Sequence, residues 1–171
     1  MRLELETSRL RLRPCRLEDL ELVQALWTNE RVRRFLFDGR VISPDEARSF
    51  VEASLANFEQ YGYGLWLVFA RGAKQFVGFA GFLRSEEGMP NLIYGIHPDF
   101  WSEGYATEAA GAVLSYAFES LGLSQVKADV DEPNVESVRV LEKLGMKRVN
   151  RAVVNGRTLL YFERQHTENA D

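Results

Sequence analysis

Trp101-Ser102-Glu103-Gly104-Tyr105-Ala106 stands just after a short β-type run and opens the Ala-rich stretch from Thr107 to Leu121. Residues in that order can bind an anion. A strand that turns through a glycine into a helix leaves the first helical N–H groups unpaired, and the helix macrodipole favours negative charge at the same end. Gly104 lets a ligand approach the backbone with no Cβ in the way, and Ala106 keeps the next turn small, so phosphate oxygens would fit. A plain strand-to-helix turn has the same spacing, and a G-x-A step alone does not separate the two readings.

The elements that must position this loop are read from periodicity. Leu3, Leu5, Leu10 and Leu12, interleaved with Arg9, Arg11 and Arg13, predict a strand over 3–13 with one wet face. After Pro14 the spacing of Leu17, Leu20, Val23, Leu26 and Trp27 turns helical. Ser43-Pro44-Asp45-Glu46 has the form of a capping box with proline at the first helical position, ahead of Ala47, Phe50, Val51, Ser54, Leu55 and Phe58. Apolar runs at 64–70, 76–83 and 92–96 predict an antiparallel meander. The helix after the loop carries Ala106, Ala109, Ala110, Val113, Leu114, Ala117, Phe118 and Leu121 on one stripe and stops at Gly122. A strand over 125–130, a helix over 134–144 with Val138, Leu141 and Leu144 inward, and strands over 146–154 and 157–163 follow. The last two flank Asn155-Gly156, a type I′ hairpin signal. Residues 165–171 read as a mobile tail.

Composition narrows the function. The 171 residues are enough for one domain with a sizeable core, and 46% hydrophobic with 27% charged residues is ordinary for a soluble globular chain. The net charge of −4 and pI near 5.4 give no general attraction to nucleic acid or acidic membrane. Cys15 is the single cysteine, so neither an intrachain disulfide nor a Cys/His zinc site is expected, and no metal is implied. The first fourteen residues lack the apolar core of a signal peptide and no later run reaches membrane-spanning length; a cytoplasmic protein is expected.

The order β, α, α, β, β, β, α, β, α, β, β resembles the GNAT superfamily of N-acetyltransferases, an α/β fold with a twisted, mostly antiparallel mixed sheet flanked by helices. Thr7-Ser8-Arg9-Leu10-Arg11-Leu12-Arg13-Pro14 is similar to the opening strand of the RimJ/RimL-like branch, which includes ribosomal-protein N-terminal acetyltransferases. Residues 97–109, His97-Pro98-Asp99-Phe100-Trp101 onward, are similar to that branch's pyrophosphate loop, and Asn134 to Met146 resembles its second acetyl-CoA motif. The closing hairpin fits the C-terminal strands, so the likeness covers nearly the whole chain. It implies acetyl-CoA as cosubstrate, with Trp101, Ser102, Glu103, Gly104, Tyr105, Ala106 and Thr107 at the pyrophosphate. It also implies a pantetheine arm paired along the edge of the family's fourth strand, here ending at Ile96, where the fourth and fifth strands splay. Gly95 would mark that splay, or else pack under an aromatic ring. Ser102 and Glu103 stand where the branch often has Gly and Lys. A carboxylate beside phosphates is unhelpful, although main-chain binding tolerates it if Glu103 points to water.

Acetyl transfer to an amine needs a neutral nucleophile and a proton for the departing thiolate. Many family members place a tyrosine acid where this chain has Leu141. In the branch a serine one turn after the asparagine serves, which implies Ser137 as acid and Asn134 as a pantetheine or thiolate contact. Asn134 also reads as a helix N-cap, and Ser137 as a first-turn serine bonding its own backbone. The glutamate often found at the start of the fourth strand is Asn91, which cannot accept a proton. His97, before Pro98, reads as a turn contact, and Glu86, Glu87 and Asp131 as solvated loop carboxylates. Freeing a neutral amine at pH 7 costs about 1 kcal/mol for an α-amine and about 4.6 kcal/mol for lysine. A missing base therefore favours a protein or peptide N-terminal α-amine over lysine. A small amine such as a polyamine, antibiotic or amino acid is the alternative acceptor, and a non-catalytic acyl-CoA sensor the alternative class. Residues 33–38, Arg33-Arg34-Phe35-Leu36-Phe37-Asp38, would rim the acceptor side or join the core. The expected partners are acetyl-CoA and the amine, with no nucleic acid or membrane; a homodimer is left open.

Overall fold

The structure is a computed structural model that describes residues 3–72 and 74–166, apart from the side chain of Asp38. Its strands are β1 (Leu5–Glu6), β2 (Leu10–Pro14), β3 (Leu65–Ala70), β4 (Phe76–Arg84), β5 (Pro90–Ile96), β6 (Gln125–Asp131), β7 (Lys147–Val154) and β8 (Arg157–Gln165). Its α-helices are α1 (Leu20–Thr28), α2 (Glu30–Arg33), α3 (Pro44–Tyr61), α4 (Tyr105–Ser115) and α5 (Val135–Lys143). The strands form one sheet in the order β1-β2-β3-β4-β5-β6-β8-β7. Every neighbouring pair is antiparallel except β5 with β6.

Both faces of the sheet are covered, which is why β3 and β4 read as continuous apolar runs rather than alternating ones. Leu65, Leu67 and Phe79 enter a core with Val23 and Trp27 of α1, Val32 of α2 and Val51 of α3. Trp66, Val68 and Phe82 enter the opposite core with Ala110 and Val113 of α4 and Leu141 of α5. Cys15 is buried in the first core, where burial pushes its thiol up to about 12 and leaves it unreactive. Among the described residues no helix is long and apolar enough to cross a membrane.

Several local signals act as their chemistry dictates. Ser43 Oγ accepts from the Glu46 amide at 3.1 Å and Glu46 reaches back to the Ser43 amide, which starts α3. Asn155 and Gly156 have φ of 52° and 77°, as the tight β7–β8 turn requires. Other expectations are corrected. The strand over 3–13 is a hairpin of β1 and β2, because the Thr7 side chain accepts from the Leu10 amide and the Thr7 amide donates to the Leu10 carbonyl. The helix after the loop starts at Tyr105 and ends in a π-helical turn, Tyr116–Ser120. Gln165 closes β8 and His166 donates its amide to Ser124, stacking on Phe118; the rest of the expected tail, 167–171, lies outside the described residues.

Candidate active site

β5 pairs along its whole length with β4, and β6 along its whole length with β8, yet β5 and β6 meet only at Asn91 and Lys127. Beyond that bridge the parallel strands separate and leave a slot in the middle of the sheet. Gly95 does not cause it through a bulge, since its register with Phe79 is unbroken. A Cβ there would meet the Phe79 ring at 2.8 Å, so glycine is required by packing under an aromatic ring.

At the C-terminal end of β5 the chain turns through residues 97–104 into α4. Gly104 is the α4 N-cap at φ +81°, and Ser102 shares the left-handed region at +67°. Among the described residues the amides from Ser102 to Thr107 have no protein acceptor, and the first helical bond is Glu108 N–H to Gly104 C=O at 3.1 Å. A Cβ on Gly104 would meet only Arg9 Nη2, at 3.5 Å, so the approach to these amides is open. Trp101 anchors the turn by donating its indole N–H to the Ile96 carbonyl at 2.6 Å, and the Arg31 guanidinium lies 4.6 Å above its ring. Ile96 itself is buried in the α4 core, whereas Ser102 and Glu103 are exposed. Tyr105, Ala106 and Thr107 are half-buried in the first turn of α4.

Periodicity gives no hint of what fixes this loop. Arg9, immediately before β2, donates Nε to Glu108 at 2.7 Å and Nη1 to the Glu103 carbonyl at 2.9 Å. Its guanidinium lies 4.5 Å over the Tyr105 ring. Glu108 accepts in addition from the Arg9 amide at 3.1 Å and from the Thr7 hydroxyl. Burial works against the Glu108 carboxylate, but these bonds outweigh it and hold its pKa below the ordinary value. One cation thus ties the loop's backbone to a carboxylate on α4.

Ser137 lies in the first turn of α5, whose N-cap Asn134 accepts the Ser137 amide at 3.3 Å. The capping reading of Asn134 is therefore satisfied. Ser137 Oγ shares a 2.9 Å hydrogen bond with the Tyr94 hydroxyl, which also lies 3.3 Å from the Ser137 carbonyl. Burial pushes the Tyr94 phenol up to about 12 against the bond to Ser137, so it is a neutral O–H at physiological pH. Tyr94 is a residue the sequence reading missed. Its signal was its place between Leu92 and Ile96 on the face of β5 toward the helices, where a buried phenol must find a partner. Leu141 is buried in the same core and carries no proton.

Across β5 and β6 the opposite face carries several polar groups. Asn91 donates Nδ2 to Asp129 Oδ2 at 3.1 Å across the bridge between β5 and β6. Asp131, expected to be a solvated loop carboxylate, is instead the buried last residue of β6 and pairs with Arg157 at 2.5 Å, because the strand runs one residue further and meets the start of β8. Asp131, Arg157, Arg34 and Phe35 line a groove of about 510 Å³. Residues 33–38 divide between the two readings: Leu36 and Phe37 join the core, Phe37 against Phe50 at 4.8 Å, while Arg34 is exposed over Phe35. His97 Nδ1 accepts from the Asp99 amide at 3.1 Å, a turn contact. Glu86 and Glu87 are exposed, and Glu87 pairs with Lys127 at 3.4 Å.

The sequence profile of the Acetyltransferase (GNAT) domain matches residues 9–147. The chain is 32% identical over 146 residues to the uncharacterised N-acetyltransferase YoaA of Bacillus subtilis, covering 84% of this chain and 82% of that protein. It is 33% identical over 156 residues to the FsC-acetyl coenzyme A-N(2)-transacetylase of Aspergillus fumigatus, covering 85% and 65%. Its fold superposes with a TM-score of 0.79 on RimL, a ribosomal L7/L12 alpha-N-protein acetyltransferase solved with coenzyme A, at 15% identity over 95% of this chain and 97% of that one.

Proposed function

The chain belongs to the GNAT family of acetyltransferases and is an acetyl-CoA-dependent N-acetyltransferase, and we propose that its acceptor is the free α-amine of a peptide or protein. The coenzyme supplies an activated acetyl thioester. The observation that carries the placement of the reaction is the Ser137–Tyr94 pair beside the slot that leads to the open amides of Ser102 to Thr107. Those amides, with Gly104 keeping the backbone accessible, fit a pyrophosphate. Trp101 holds the turn against Ile96, and the β5 edge beside the slot takes the pantetheine arm. Glu103 faces water with its carbonyl held by Arg9, so its charge is screened and the loop keeps its function. Ser137 gives a proton to the leaving sulfur, while Asn134 holds the turn that orients it. The continuous sheet through β8 supports reading the chain as a single acetyltransferase domain, and the lone buried thiol of Cys15 fits a cytoplasmic setting.

The acceptor reading rests on how weak a base the far side of the slot offers. Among the described residues its polar groups at the bridge are Asn91, Lys127 and the exposed carboxylate of Asp129, and a carboxylate takes a proton from an α-ammonium far more readily than from a lysine ammonium. An α-amine, about 3.6 kcal/mol easier to neutralise at pH 7, needs less help. A small-molecule amine is the second reading, favoured by the relative named as an N(2)-transacetylase. The test offers acetyl-CoA with peptides of one sequence, either with a free N-terminus or blocked and carrying only lysine, alongside a panel of small amines. Products are mapped by mass spectrometry. Acetylation of the free α-amine is expected; preference for lysine or for a small amine overturns the reading.

A further inference from the structure

We infer that Asp129, oriented by Asn91, is the carboxylate that receives the acceptor's ammonium group beside the bridge from which the β5–β6 slot opens and takes its proton. The inference deepens the α-amine reading above and rests on it for the identity of the amine. Its starting point is the alternation of the two strands. Leu92, Tyr94 and Ile96 of β5 and Val126, Ala128 and Val130 of β6 all belong to the core under α4 and α5. Asn91, Ile93, Lys127, Asp129 and Asp131 therefore lie on the other face. The hydroxyls of Ser137 and Tyr94 stand on one side of the sheet and the Asn91–Asp129 pair on the other, with the slot between them. That is the arrangement needed for an amine to attack from one side while the thiolate leaves on the other.

The charges on this face single out Asp129. Asp131 is neutralised by Arg157, and Lys127 is paired with Glu87 at 3.4 Å. Asp129 meets only a neutral donor: Asn91 Nδ2 bonds Oδ2, and Oδ1 has no protein partner among the described residues. An amide in that role fixes the carboxylate's direction without cancelling its charge, which leaves it able to bind a cation. The groups around it are Lys127 and Asp131 on its own strand, Tyr161 opposite on β8, and Asn91 on β5; Arg34 lines the groove that Asp131 borders. An ammonium of an incoming α-amine satisfies Oδ1.

The step balances as follows. The ammonium gives one proton to Asp129, which passes it to water, and the freed lone pair forms the N–C bond to the acetyl carbon. The C–S bond breaks with its electron pair on sulfur, which takes the Ser137 proton; Ser137 is reprotonated from water. The second proton lost from nitrogen leaves by the same carboxylate, so one proton is released overall.

The test uses the full chain and the fastest amine from the acceptor panel. Asp129→Asn keeps an amide-to-carbonyl bond to Asn91 but removes the charge. Acceptor kcat/KM is expected to fall on the order of 10²-fold at pH 7, with acetyl-CoA affinity by calorimetry unchanged and acceptor binding to the enzyme–coenzyme A complex weakened. The deficit should shrink as pH approaches the amine's own pKa, where no base is needed. The swap Asn91→Asp/Asp129→Asn, which moves the carboxylate to β5, should recover most of the rate. Unchanged acceptor kinetics, or a loss equal at every pH and not recovered by the swap, overturns the assignment. If the fastest amine proves to be a lysine or small molecule, the α-amine reading fails while the same variants, measured on that amine, still decide the role of Asp129.

Discussion

On the proposed coenzyme side of the slot the polar groups on offer are backbone amides, Ser102 to Thr107, whereas on the proposed acceptor side they are side chains: Asn91 and Asp129 at the bridge, and Arg34 with Asp131 along a groove. The two sides tolerate change differently for that reason. A loop that binds through N–H groups can exchange its side chains, and here it carries Glu103 at its tip without losing the geometry that Arg9 and Trp101 impose. Conformation is what it cannot exchange, since Gly104 and Ser102 both sit at positive φ. The acceptor side is the reverse, with regular strands whose chemistry changes whenever one side chain does.

The largest effect that sharpens this contrast belongs to Ser137, the proposed acid, bonded to the Tyr94 hydroxyl. Ser137→Ala should lower kcat by ~10² to 10⁴, the usual worth of a positioned acid, while calorimetric affinity for acetyl-CoA changes little. The fold should hold, because the Tyr94 hydroxyl keeps the residue-137 carbonyl as an acceptor. A folded variant with unchanged kcat removes Ser137 from the chemistry. Next comes Gly104→Val. Holding a β-branched residue at φ +81° costs roughly 1–2 kcal/mol, and the new side chain stands over the open amides. Coenzyme A affinity should fall about tenfold or more, with acceptor-side behaviour intact. Equal affinity in a folded variant breaks the backbone account of the coenzyme side.

Local signals in the sequence located much of this. The Ser43 capping box, the Asn155-Gly156 turn and the Gly104 helix entry each depend on residues within a few positions, and each is where the residue types place it. The resemblance pointed to Ser137 and Asn134, which stand in the first turn and at the N-cap of α5. What remained hidden joins distant parts of the chain: Asn91 with Asp129, Tyr94 with Ser137 and Arg9 with Glu108 are 38, 43 and 99 residues apart. Periodicity says which face a side chain takes but not which partner it finds there. Asp131 was misread for a related reason, since its burial depends on Arg157 across another strand.

The smallest expected effect concerns the lock behind the loop. Glu108 has a pKa held below the 4.5 of an unperturbed glutamate by Thr7 and Arg9, despite burial. A depressed carboxylate stabilises the folded state above its unfolded pKa, and that contribution is lost as pH falls through the lower, folded value. Coenzyme A affinity and thermal stability should therefore both decline as the solution is acidified below about pH 4.5, the unperturbed value. Glu108→Gln, which keeps an acceptor for Arg9 and Thr7 but not the charge, should show a few-fold weaker coenzyme A binding at pH 7 and a flatter decline in acid. The effect stays small because Arg9 is largely exposed to screening solvent and the amides themselves are untouched. Calorimetry and thermal melts across a pH series read both. Acid sensitivity identical in the wild type and Glu108→Gln would detach this pair from the loop, and the coenzyme side would then owe its geometry to Trp101 and Gly104 alone.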